Sequence, residues 1–110
     1  RTCGYRWQAH QQGVRAQLLV NVTPIGMAGG AQAQDLAFEP ELVEAAQVVF
    51  DVVAMPAQTP LIVEAQRLGK PVITGLEVIA LQALEQFVLY TGVRPNLEQF
   101  EKAVAFARSA

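Results

Sequence analysis

The sequence predicts an α/β fold: half of a doubly wound parallel sheet, three-layer α/β/α, with elements in the order β-α-β-α-β-α-α. Three observations lead there. Short apolar, β-branched runs of strand length recur at residues 17–22 (QLLVNV), 47–53 (QVVFDVV) and 71–74 (PVIT). Segments of helix length separate them, and strands that alternate with helices pair in parallel through right-handed crossovers. The middle run is nearly continuous in apolar residues, the pattern of a strand covered on both faces.

The elements follow in order. The first 16 residues carry the weakest pattern, and residues 7–12 read either as the end of a helix or as a loop. After the first strand comes TPIGMAGG, a loop with three glycines and a proline. Residues 40–46 (PELVEAA) read as a helix with Pro40 in its first turn, where a missing N–H costs nothing. Thr59-Pro60 starts the next helix, a Thr N-cap followed by Pro at the first helical position, and Gly69 caps its end. Gly75 precedes a long helix over 76–91, closed by Gly92. Asn96 and Gln99 have the spacing of a capping box for a last helix over 97–109, with Leu97, Phe100, Val104 and Ala107 on its apolar face.

Composition bounds the function. A chain of 110 residues is one domain at most, and 52% apolar residues suffice for a packed core. A net charge of −2 gives no basic stripe of the kind that binds nucleic acid or an anionic membrane. Cys3 is the single cysteine, which excludes an internal disulfide and a cysteine metal site and suits a reducing cytoplasm. His10, the single histidine, stands beside Gln11 and Gln12 and reads as a solvated surface residue, so no metal site is expected. No apolar run reaches the about 18 residues of a membrane span, and no segment reads as a signal peptide, so neither is expected. A chain that begins with Arg1 reads as cut or truncated upstream. The apolar first strand would otherwise be an open edge, so the expectation is either preceding sequence that supplies neighbouring strands or self-association through that edge.

Ligands of open parallel sheets bind beyond the carboxyl ends of the strands. Three segments meet there: residues 21–26 (NVTPIG), residues 51–56 (DVVAMP) and Thr74-Gly75. The first offers Asn21 and Thr23 side chains and, at Gly26, close backbone approach, which suits a cofactor; an ordinary strand-to-loop turn uses the same residues. Gly75, Val78 and Gln82 share one stripe of the long helix. A buried amide at Gln82 would need partners, either a substrate or the backbone. Asp51 has two readings. Phospho-receiver domains place an acceptor aspartate at a strand end shortly before Met-Pro, but here the gap to Pro56 is one residue longer and TPIGM has no acidic pair. The other reading is a structural carboxylate bonding nearby backbone amides.

The series of residues around these positions resembles the shikimate dehydrogenase family. Asn21 to Met27 is similar to its N-x-T-x-x-G-M segment. Phe50-Asp51-Val52-Val53, Thr59-Pro60-Leu61, Gly69-Lys70, Gly75-Leu76, Leu81-Gln82-Ala83 with Phe87, and Tyr90-Thr91-Gly92 with Pro95 follow in the family's order. The resemblance spans roughly residues 4–108, and DVVAMPAQTPLI and LQALEQFVLYTG are most similar to the shikimate dehydrogenase-like branch. It implies the C-terminal portion of an NADP-binding Rossmann domain, with the last two helices (76–91 and 97–109) packing back on a preceding substrate domain. It also implies reversible hydride transfer between NADP and shikimate or 3-dehydroshikimate, or a related polyol acid. By the same resemblance Asn21, Thr23 and Gly26 lie in the cofactor loop, and Val52 and Gly75 meet the nicotinamide end. Val78 stands where relatives often carry Met, and Gln82 matches the substrate-bonding glutamine. The family's catalytic Lys and Asp and its glycine-rich phosphate loop lie upstream of these residues, so the isolated chain is expected to be a non-catalytic fragment. Arg1-Thr2 falls near the end of the helix after the family's basic motif. Ala54 replaces a Tyr that many relatives use on substrate, which implies a different or weaker substrate preference.

Overall fold

The computed structural model describes residues 15–109. Cys3, His10 and residues 7–12 lie outside the described residues. Three strands, β1 (Leu18–Asn21), β2 (Val48–Asp51) and β3 (Val72–Thr74), form a parallel sheet in the order β1-β2-β3. Each is shorter than its apolar run. At β2 the physical reason is local: the Val53 N–H is taken by the Asp51 carboxylate at 3.0 Å instead of continuing the ladder.

Register places residues of like chemistry side by side. Leu19, Val49 and Val72 are partners in one rung, and Asn21, Asp51 and Thr74 are partners in the rung two residues further on. Side chains two apart share a face, so an apolar rung lies beneath a polar one at the carboxyl end of the sheet. The apolar rung packs on α1 (Pro40–Ala45) and α2 (Pro60–Arg67), joining Leu42, Val43, Ala46, Leu61 and Ala65 in the core. Thr59 caps α2, its Oγ1 accepting the Ile62 N–H at 3.2 Å. Gly69 closes the helix in the left-handed region, φ 72°.

The opposite face of the sheet carries Leu18, Val20, Val48, Phe50 and Ile73. Leu18 is 52% and Ile73 40% exposed, so the two-sided cover expected of these strands is one-sided among the described residues. Both short helices serve the same core, and on the other face Ile73 lines a groove with residues of the two C-terminal helices. The fold class is α/β with a parallel open sheet, as the sequence predicts.

The two C-terminal helices are α3 (Gly75–Thr91) and α4 (Leu97–Ser109). α3 begins one residue earlier than its sequence pattern, because Thr74 caps it. Thr74 Oγ1 accepts the Glu77 N–H at 3.2 Å, and Glu77 Oε2 accepts the Thr74 N–H at 3.0 Å. Asn96 and Gln99 form the expected reciprocal pair at the start of α4, at 2.8 and 3.0 Å. Neither helix buries an apolar side chain among the described residues: Phe87 is 46%, Leu89 82% and Phe106 78% exposed. A groove of about 520 Å³ between them is lined by Leu76, Ala83, Phe87, Phe100 and Val104. Phe100 and Val104 of the expected apolar face turn into it, whereas Leu97 is 70% exposed.

Three exposed ion pairs trim the surface of the described residues, Lys102 with Glu98 at 2.7 Å and two arginine pairs. Arg67 donates to both carboxylate oxygens of Glu64, and Arg94 donates to both of Glu85 across the α3–α4 turn, at 3.0 Å each. The guanidinium hydrogen bonds hold the carboxyls of Glu64 and Glu85 below their ordinary value of 4.5. A depressed carboxyl contributes stability that is present above its unfolded value and lost as pH falls through its folded one. Both pairs are solvent-exposed, so that contribution is small. The urea midpoint is therefore expected to stay level from neutral pH to about 5 and to decline below it. A decline beginning nearer neutrality would trace pH sensitivity to another group.

Candidate functional site at the carboxyl ends of the strands

Each strand ends in a buried polar residue that organises the segment after it. Asn21 is 2%, Asp51 0% and Thr74 8% exposed. Thr74 caps α3. Asp51 accepts from three donors: Asn21 Nδ2 at 3.1 Å and the Val53 N–H at 3.0 Å on Oδ1, and Thr59 Oγ1 at 2.7 Å on Oδ2. Thr59 thus serves two partners, donating to Asp51 and accepting from the first turn of α2. Asn21 is saturated as well. Its Nδ2 also donates to the Ile25 carbonyl at 3.1 Å, and its Oδ1 accepts from the Thr23 N–H at 3.0 Å and Thr23 Oγ1 at 2.6 Å. No buried side-chain polar atom among the described residues lacks a partner.

These bonds shape the mouth of a crevice. The 21–26 loop folds back so that Gly26, at φ +91°, lies against the start of α2; an added Cβ would stand 3.3 Å from Thr59 Cβ. The Ala28 N–H donates to the Met55 carbonyl at 2.9 Å, joining the first loop to the second, in which the Met55–Pro56 peptide is cis. On the other side Gly75 is pressed against the backbone after β2. A Cβ there would overlap the Val52 carbonyl oxygen and come within 2.7 Å of the carbonyl carbons of Val52 and Val53. A side chain of any size is excluded from that seam.

The residues singled out in the sequence fall into three groups. Asn21, Thr23 and Gly26 form the first loop, with Asn21 facing inward and Thr23 exposed at its top. Val52 and Gly75 meet at the seam, and Val52 is 46% exposed beside it. Val78, half-buried one turn along α3, lines a second groove with Ile73, Leu81, Phe100 and Val104. Gln82 lies seven residues beyond Gly75, roughly 10 Å along the helix axis, and is exposed. Gln82 lines neither groove, so among the described residues its amide stands in solvent and not buried between its apolar neighbours.

Asp51 is the structural carboxylate and not a phosphoacceptor. It is 0% exposed and both of its oxygens are occupied by donors. Thr59 and Thr74 were not among the site residues read from sequence, although they close the floor of the crevice. Thr74-Gly-Leu-Glu77 has the spacing of a capping box, a signal that a helix begun at residue 76 leaves out. Among the described residues, no group of three or more His, Cys, Asp and Glu is placed to hold a metal ion. No helix among them is long and apolar enough to cross a membrane.

A parallel sheet with polar strand ends, glycine at the first loop and a helix starting on the last strand defines a Rossmann-type α/β domain. No family model matches the chain. It is 51% identical over 106 residues, 96% of its length, to the shikimate dehydrogenase-like protein of Haemophilus influenzae. A solved shikimate 5-dehydrogenase-like protein superposes on 92% of the chain with a TM-score of 0.89 at 51% identity. A shikimate dehydrogenase in complex with NADP+ superposes on 83% of it with a TM-score of 0.66 at 31% identity. The chain belongs to the shikimate dehydrogenase family and corresponds to the C-terminal part of its members. It spans 39% of the length of the Haemophilus relative and 38% and 31% of the two solved chains.

Proposed function

We propose that this chain is the C-terminal portion of the NADP-binding domain of a cytoplasmic, shikimate dehydrogenase-like oxidoreductase. The enzyme of which it is part transfers hydride between NADP and shikimate or 3-dehydroshikimate, or a related polyol acid. NADP supplies or accepts the hydride, and this chain contributes the walls of its site. The observation that carries the reading is the Val52–Gly75 seam, where the backbone comes close and a half-exposed apolar side chain faces the crevice.

The residues present fit the nicotinamide end of the cofactor, which carries a flat ring and no phosphate. Val22, Val52, Met27 and Met55 are exposed around the strand ends. The Asp51 carboxylate is buried with both oxygens hydrogen-bonded, and Glu77 Oε2 is engaged by the Thr74 N–H. Thr23 and Gly26 would face the cofactor from the first loop, and Val52, Gly75 and Val78 from the second side. Gln82 would reach substrate. The groups that move a proton, a Lys and an Asp in the family, belong to a preceding substrate domain, and the isolated chain is inactive. That domain also covers the apolar faces of α3 and α4, and preceding strands pair with the outer edge of β1. Without them, self-association through that edge is the expected outcome.

The test is an assay of the full-length polypeptide that carries this chain. Shikimate-dependent reduction of NADP is expected, with none from residues 1–110 alone. A folded full-length protein that binds a nicotinamide nucleotide yet transfers no hydride with shikimate, quinate or aminoshikimate would overturn the substrate reading. Steady turnover by the 110-residue chain would overturn the reading of it as an inactive portion.

A further inference from the structure

We infer that Asp51 is a positioning residue: the fixed acceptor that sets the direction of the Asn21 amide and, through it, the shape of the 21–26 loop at the crevice. The inference rests on the proposed cofactor site for its functional consequence, and on geometry alone for its structural one.

A side-chain amide can be turned end for end at little steric cost, so what decides its direction is its partners. Asn21 lies between two of them. On one side is Asp51, whose Oδ1 takes the Asn21 Nδ2 hydrogen at 3.1 Å. On the other is Thr23, whose N–H and Oγ1 both donate to Asn21 Oδ1, at 3.0 and 2.6 Å. The Thr23 N–H and the Ile25 carbonyl favour the same direction from the partly exposed side of the loop. Asp51 is the fully buried partner that anchors it. Its oxygens already receive the Val53 N–H and Thr59 Oγ1, and the rung presents the Asn21 amide with an acceptor. The Nδ2 group must face Asp51, the Oδ1 must face Thr23, and the turn through Ile25 closes on the second Nδ2 hydrogen. Asn21 and Asp51 are 2% and 0% exposed, so water cannot substitute for the bond between them, whereas Thr23 at the loop surface is exposed.

Thr59 extends the same control to the other wall. Its hydroxyl joins Asp51 to α2, on whose first residues Gly26 rests. One carboxylate therefore ties β1, the second loop and the start of α2 together. An asparagine at position 51 cannot serve all three donors: its amide oxygen accepts, but its NH2 would face a donor. With its NH2 toward Asn21 it would turn that amide and cost the loop the Thr23 bonds, and with its oxygen there it would forfeit the bond that Thr59 donates.

The experiment compares three variants of the full-length protein: Asp51→Asn, Asn21→Ala, and Val43→Ala as a core control away from the polar rung. Two quantities are read on each, deuterium uptake by the 21–28 segment and the Kd for NADP. Asp51→Asn is expected to speed uptake in that segment and raise the Kd, each about tenfold, the equivalent of one buried hydrogen bond. Asn21→Ala should do the same, and it carries the test if Asp51→Asn does not fold. Val43→Ala should lower the urea midpoint and leave both quantities near wild type. Unchanged uptake in Asp51→Asn and Asn21→Ala, or an equal rise in Val43→Ala, would overturn the inference. A wild-type protein that binds no NADP while the uptake pattern holds would sink the cofactor reading and leave the positioning role standing.

Discussion

Gly75→Ala is expected to destabilise the protein by roughly 1–3 kcal/mol or more and, on the proposed function, to abolish NADP binding. The new methyl would overlap the Val52 carbonyl oxygen and lie 2.7 Å from two backbone carbonyl carbons. Backbone cannot rotate away as the end of a long side chain can. Either the second loop moves outward, taking Val52 from the crevice, or α3 shifts off β3 and strains the Thr74–Glu77 cap. Both outcomes open the seam. Gly92→Ala makes the contrast. Gly92 sits at φ +69° with nothing within 4 Å of its added Cβ, so only left-handed strain of about 1–2 kcal/mol is expected there. Urea denaturation and a nucleotide titration of both variants check this. A Gly75→Ala protein with wild-type affinity would show that the seam is compliant and that close approach is not what the site requires.

The second large effect is expected at Thr59. Thr59→Val keeps the shape and removes one hydroxyl that serves both α2 and Asp51. Losing the cap costs about 1 kcal/mol, and leaving a carboxylate oxygen buried without its donor costs about 1–3 kcal/mol. The sum, roughly 2–4 kcal/mol, is large for a change of one atom. Thr59→Ser keeps the hydroxyl and loses a buried methyl, for about 1 kcal/mol. Comparing the urea midpoints of the two separates hydrogen bonding from packing. If valine were no worse than serine, the Asp51–Thr59 bond would contribute little and the rung would be held by its other partners.

Thr59 shows how far a sequence can be read. Its role as an N-cap is local, visible in Thr-Pro followed by an apolar helix, and the structure agrees. So are the left-handed glycines at 69 and 92 and the Asn96–Gln99 pair, each of which depends on a few adjacent residues. The bond from Thr59 to Asp51 is not local, and neither is Asn21 to Asp51, which joins residues 30 apart. Sequence reasoning put Asn21 and Asp51 at strand ends but had no means of placing them on one rung. Gln82 lies at the other extreme. Its apolar neighbours Leu81 and Ala83 suggest burial, but burial needs a second surface, and among the described residues α4 offers one only to the Ala80, Ala83 and Leu84 side of α3.

Element order and type, the parallel α/β class and the positions of the helix caps were therefore determined by the sequence itself. Each arises from periodicity or from hydrogen bonds between residues close along the chain, which hold whatever the rest of the molecule does. Tertiary structure alone decided which sheet face is covered, that the three polar strand ends are register partners, and that Gly75 lies on the Val52 carbonyl. Those facts rest on strand register and on the approach of distant backbones. A shift of one residue in either would put other side chains at the crevice while leaving every local pattern intact.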